Sequence, residues 1–124
     1  MAHSFKTVLL VDDEEMVLSL GVLMLKRLGF QVLQAREVVE ALEVYKQNAE
    51  TVDLVIMDLA MPNGGGLGLY KQIQRLNSDL KVIATSGYDS CGQMDELSKL
   101  GCNNFLQKPF MLSQLAVKID EVLN

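Results

Sequence analysis

Thr7-Val8-Leu9-Leu10-Val11-Asp12-Asp13-Glu14 is a short apolar run that stops abruptly at a cluster of acids. A strand with one wet face would alternate apolar and polar residues. A continuous run of five residues instead suits a strand covered on both faces, as in a parallel sheet. The pattern recurs downstream. Asp53-Leu54-Val55-Ile56-Met57 stops at Asp58, and Lys81-Val82-Ile83-Ala84-Thr85 stops at Ser86-Gly87. Two weaker segments, residues 30–34 and 104–106, read as an edge strand and a brief last strand.

Helical spacing fills the intervals. From about Glu14 to Leu28, Met16, Leu20, Leu23 and Met24 are expected on the buried face, with Lys26-Arg27 and then Gly29 as the stop. Val38, Ala41, Leu42 and Tyr45 mark a second helix over 36–47, and Leu69, Tyr70, Ile73 and Leu76 a third. Met94, Leu97 and Leu100 mark a short fourth over about 90–100. Leu112, Leu115, Ala116, Ile119 and Val122 mark a fifth. Met61-Pro62-Asn63-Gly64-Gly65-Gly66 reads as a loop by composition. Five strands alternating with five helices predict a doubly wound α/β domain, with a mostly parallel sheet and right-handed crossovers.

Composition narrows the function. The 124 residues suit one domain, 1–124, with its core from about residue 6 to residue 122. Eleven basic against sixteen acidic residues give a net charge of −5, which argues against direct nucleic-acid binding. No apolar run is long enough for membrane insertion, and the start lacks a signal-peptide pattern. Cys91 and Cys102, without CxxC spacing, fit a reducing compartment, so a cytoplasmic location is expected. The one histidine, His3, lies in a polar start, which leaves little room for a His-dependent triad or a His-rich zinc site. Chemistry is left to carboxylates, hydroxyls and lysines.

Ligands of open α/β sheets sit outside the carboxyl ends of the strands. There the chain places Asp12 and Asp13 after the first strand, Asp58 after the third, Ser86 after the fourth and Lys108 after the fifth. Crowded carboxylates repel unless a cation neutralises them. An all-oxygen set suits Mg²⁺. A carboxylate can attack phosphorus to give an aspartyl phosphate, and a lysine and a hydroxyl can stabilise the charge that moves. Taken singly, Asp12 also suits a helix cap, Ser86 a turn, Lys108 a solvated surface and Phe105 plain core.

Four pieces in fixed order resemble the receiver domains of two-component response regulators: Val11-Asp12-Asp13-Glu14, Met57-Asp58-Leu59-Ala60-Met61-Pro62, Thr85-Ser86-Gly87-Tyr88 and Phe105-Leu106-Gln107-Lys108-Pro109-Phe110. The likeness runs from about Lys6 to Val122. It implies a flavodoxin-like sheet of strand order 2-1-3-4-5. It also implies that Asp58 is the phosphoacceptor, and that Asp13, Asp58 and the Ala60 carbonyl bind Mg²⁺ directly, with Asp12 acting mainly through water. Ser86 and Lys108 would hold the phosphoryl group, Phe105 would be the switch aromatic, Gly66 the crowded glycine, and Lys108-Pro109 a cis bond. The expected partners are a sensor histidine kinase or histidine phosphotransfer domain and a downstream protein or output domain, with a phosphorylation-dependent dimer left open. Such a domain catalyses only its own phosphorylation and dephosphorylation.

Some positions depart from the family pattern. Asn63-Gly64-Gly65-Gly66 lacks the usual acid and should be more mobile, and Asn103-Asn104 has no derivable consequence. Ala60 offers no polar side chain to orient water, and Tyr88 would shade the site, so slow self-dephosphorylation is expected. Three competing classes fit the sequence less well. An aspartyl-phosphate hydrolase of the dehalogenase type needs an acid where Ala60 stands. A flavin module needs a phosphate loop where Asp12-Asp13-Glu14-Glu15 would repel one. A receiver-like interaction module without phosphorylation would commonly lack some of the five site residues.

Overall fold

A computed structural model describes residues 6–62, 65–87 and 91–124. Its elements alternate as β1 (Thr7–Val11), α1 (Glu15–Arg27), β2 (Gln31–Ala35), α2 (Val38–Gln47), β3 (Val52–Asp58), α3 (Gly65–Leu76), β4 (Lys81–Ser86), α4 (Cys91–Lys99), β5 (Phe105–Gln107) and α5 (Leu112–Leu123). The five strands pair in parallel in the order β2-β1-β3-β4-β5. The weakly patterned β2 is an edge strand, as its partial alternation predicts.

Each central strand carries an unbroken apolar stretch because it serves two cores. Leu9, Val11, Val55, Met57, Val82 and Ala84 pack with α2, α3 and α4. Their neighbours Val8, Leu10, Leu54, Ile56 and Ile83 pack on the other face with α1 and α5. Side chains alternate across a strand, so an unbroken apolar run is what two-sided burial demands. The α2 stripe holds as read, with Val38, Ala41 and Tyr45 buried and Leu42 partly so.

The buried face of α1 differs from the expectation. Met16, Leu20 and Leu23 are 87%, 54% and 66% exposed, whereas Leu18, Gly21 and Leu25 face the sheet. The helix is apolar on nearly every side, so its periodicity admits more than one face. Gly21 helps to select the real one: a Cβ there would lie 2.7 Å from Leu10 Cδ2, so the absence of a side chain lets α1 approach β1 closely. Leu100 lies past the end of α4 and is 47% exposed, outside the expected stripe.

The glycine-rich segment also ends earlier than expected, because Gly65 and Gly66 already belong to α3. His3, Asn63, Gly64, Tyr88 and the expected helix start at Ser90 lie outside the described residues. Gly66 is needed for its size. A Cβ at this position would stand 2.8 Å from the carbonyl oxygen of Asp58 and 2.9 Å from Leu59 Cα, both backbone atoms that cannot swing aside. Gly68, one position further than the next residue of the same helix, has nothing within 4 Å of such a Cβ. Gly66→Ala is therefore expected to cost about 1–3 kcal/mol through overpacking. Gly68→Ala should be neutral or stabilise by about 0.5–1 kcal/mol through helix propensity. Urea unfolding of both variants checks this, and equal midpoints would contradict it.

Candidate functional site

Strand register assembles the site. Val11 lies beside Met57, so Asp12 and Asp58, the next residue in each strand's direction, emerge together. Asp58 lies beside Thr85, and Ser86 beside Gln107, which immediately precedes Lys108. Backbone bonds carry the ladders past the strand ends: Asp12 N–H to Ala35 O at 3.1 Å, Leu59 N–H to Thr85 O at 3.0 Å and Lys108 N–H to Ser86 O at 2.8 Å. The sheet itself holds these residues in place.

The side chains of Asp12 and Asp58 are only 4% and 3% exposed. Lys108 Nζ stands 2.7 Å from Asp12 Oδ2 and 3.2 Å from Asp58 Oδ2, with Glu14 Oε1 further out at 3.9 Å. The remaining oxygens are also engaged. Asp12 Oδ1 accepts the Glu14 N–H at 2.9 Å, and Asp58 Oδ1 accepts the Ala60 N–H at 3.1 Å. Ser86 is buried, and among the described residues its hydroxyl has no hydrogen-bond partner. A buried hydroxyl without a partner is uncommon.

The charges do not balance, since two buried carboxylates share one ammonium. Burial pushes the Asp12 carboxyl above its ordinary value. Lys108 and the Glu14 N–H offset this only in part, and the Asp58 charge adds to it. Burial alone would lower Lys108, but the hydrogen bond and charge of Asp12, with the charge of Asp58, outweigh it and hold the ammonium above its usual range. Lys108 is thus firmly charged at neutral pH. A second hard cation would complete the neutralisation, and an all-oxygen donor set suits one.

The predicted residues divide in an informative way. Asp12, Asp58, Ser86 and Lys108 come together, and the backbone of Ala60 lies against Asp58. The Lys108-Pro109 bond is cis. Asp13 is exposed and is not part of the group; the carboxylate oxygens that lie within 4.8 Å of one another belong to Asp12, Glu14 and Asp58. Phe105 is half-buried, packed against the core beneath α4 beside Ala84, so it is neither fully core nor fully displayed. Glu14 is the residue that the sequence reading missed. Four consecutive acids carry no mark of which ones turn inward. The turn closed by Asp12 Oδ1 and the Glu14 N–H makes that choice. None of the described helices is long and apolar enough to cross a membrane.

Known proteins share both the fold and the chain pattern. The family model described as the response regulator receiver domain matches residues 8–120. The sensor kinase CckA of Brucella abortus is 38% identical over 117 residues, which are 94% of this chain but 12% of that protein. The chemotaxis protein CheY of Bacillus subtilis is 29% identical over 125 residues, covering the whole of both. A receiver domain protein from Clostridium thermocellum superposes with a TM-score of 0.91 at 27% identity, over 96% of this chain and 94% of that one. With the strand order, the strand-end acids and the paired lysine already in place, the chain belongs to the response regulator receiver domain family.

Proposed function

We propose that this receiver domain accepts a phosphoryl group on Asp58 and passes the event to a protein-binding face. The observation that supports this most is the environment of Asp58. Its carboxylate is almost fully buried yet clamped between Lys108 Nζ and the Ala60 N–H, next to a strand that ends in a buried hydroxyl with no hydrogen-bond partner among the described residues. Burying a carboxylate is costly unless it is paired, and such costly arrangements cluster at functional sites.

In the proposed step a carboxylate oxygen of Asp58 attacks the phosphorus of a phosphohistidine. The P–N bond breaks with its electron pair leaving on the imidazole, and an acyl phosphate forms. The Lys108 ammonium and the Ser86 hydroxyl meet the phosphoryl oxygens as charge moves onto them. Asp12, Asp13, Asp58 and the Ala60 carbonyl would hold Mg²⁺, with Asp13 turning inward; when bound, it supplies positive charge for the crowded oxygens. The donor is a sensor histidine kinase or a histidine phosphotransfer domain in the cytoplasm. CckA is described as a sensor kinase, and the present chain resembles a small part of it.

Ser86, drawn toward the new phosphoryl group, would leave room for Phe105 to rotate inward. That motion would alter the face of α4, β5 and α5, where Leu100, Met111 and Val117 are exposed. A downstream protein, an output domain or a second copy would read the change.

Incubation with acetyl phosphate and Mg²⁺ is expected to add the mass of one phosphoryl group to the intact protein and none to Asp58→Asn. An adduct that persists in the variant would place the acceptor elsewhere. Ala60 contributes no polar side chain to position attacking water. Ala60→Asn should therefore lose its phosphoryl group about ten-fold faster, less than the roughly hundred-fold of a true general base because an amide can orient water but cannot take its proton. An equal or slower loss would contradict this.

Stability should also depend on the buried charges. Because the folded-state value of Asp12 is raised, its contribution is fully present below the unfolded carboxylate range and is lost as pH rises through the folded value. In metal-free protein at pH 7, Asp12→Asn is expected to raise the unfolding free energy by on the order of 1 kcal/mol and to flatten its decline with rising pH. Added Mg²⁺ should stabilise the parent more than the variant. Urea titrations across the acidic range with and without Mg²⁺ test both statements, and a less stable metal-free variant would contradict the first.

A further inference from the structure

We propose that Glu14 is a specificity-determining residue at the mouth of this site: its carboxylate strengthens the hold on a divalent cation while slowing entry of small anionic phosphodonors. The proposal rests on the reading of Asp58 as the phosphoacceptor.

Glu14 occupies the N-cap position of α1, but its side chain makes no capping hydrogen bond. Its backbone is fixed instead, by the N–H held on Asp12 Oδ1. The carboxylate is left to lean back over the strand ends, where Oε1 lies 3.9 Å from Lys108 Nζ and within 4.8 Å of oxygens of Asp12 and Asp58. Asp12 and Asp58 form a buried floor, whereas the Glu14 side chain is 66% exposed and stands above it. The neighbouring acid faces elsewhere: Glu15 pairs with Arg36 at 2.7 Å.

A single negative charge at this place acts on two ligands with opposite sign. It attracts a cation seated over the floor carboxylates, and it repels a phosphodonor dianion approaching through the same opening. Its solvent exposure limits both effects to about three- to five-fold, as expected of a well-placed but partly screened charge. A donor whose phosphoryl group is presented by a folded protein brings its own contacts and depends less on this charge.

The test uses the full chain freed of metal, with Mg²⁺ affinity measured by calorimetry in the parent, Glu14→Gln, Glu15→Gln and Asp58→Asn. Glu14→Gln is expected to bind Mg²⁺ about three- to five-fold more weakly and, at saturating Mg²⁺, to be phosphorylated by acetyl phosphate faster by a similar factor. Glu15→Gln should match the parent in both. Weaker binding in Asp58→Asn with none in Glu14→Gln would overturn the role of Glu14 alone. Unchanged affinity in both would put the cation elsewhere and overturn the underlying reading as well. An equal loss in Glu15→Gln would reduce the effect to general surface charge and overturn the proposal.

Discussion

The pairing of Lys108 with two buried carboxylates is the constraint around which this molecule is arranged. Burying the carboxylates of Asp12 and Asp58 at the sheet's carboxyl edge calls for a nearby cation, and Lys108 reaches both. Its ability to do so depends on the whole sheet. β1 and β3 must be neighbours to bring the acids together, and β5 must lie beyond β4 to deliver the lysine. Both the strand order and its register are written into three atoms at one edge. The arrangement is not optimised for stability alone, since one ammonium serves two acids. The excess negative charge prepares the site to receive positive charge from outside.

The fold was legible because two-sided burial leaves a coarse signal. A run such as Leu54-Val55-Ile56-Met57 has few other structural uses, and its abrupt end at Asp58 marks the carboxyl edge of the sheet directly. The sheet residues of the site were legible for the same reason. Asp12, Asp58, Ser86 and Lys108 inherit their positions from strand ends, and strand ends are where the apolar runs stop.

Less was legible wherever several choices satisfied the same pattern. α1 is apolar on most sides, and the deciding factor was a contact between the space at Gly21 and Leu10, which no spacing rule contains. Glycine composition suggested a loop at 65–66, yet these two residues start a helix, and Gly66 is required by the nearness of the Asp58 carbonyl. Among the acids that follow Asp12, the selection of Glu14 over Asp13 came from a local turn. In each case the missing information was a tertiary distance.

β5 has a consequence for local opening. It is three residues long and lies at the sheet margin, whereas β1 and β3 are longer and paired on both sides. Fraying of a short marginal strand costs far less free energy than global unfolding. Amide hydrogens of β5 should therefore exchange with solvent ahead of those in β1 and β3. Lys108 directly follows this strand, so the site's only deeply placed ammonium among the described residues is tethered to the sheet's least anchored segment. Brief excursions of β5 would unmask the acids while the central strands stay intact. Protection of the β5 amides would then report occupancy of the acidic edge, giving a readout of the site from the backbone beside it.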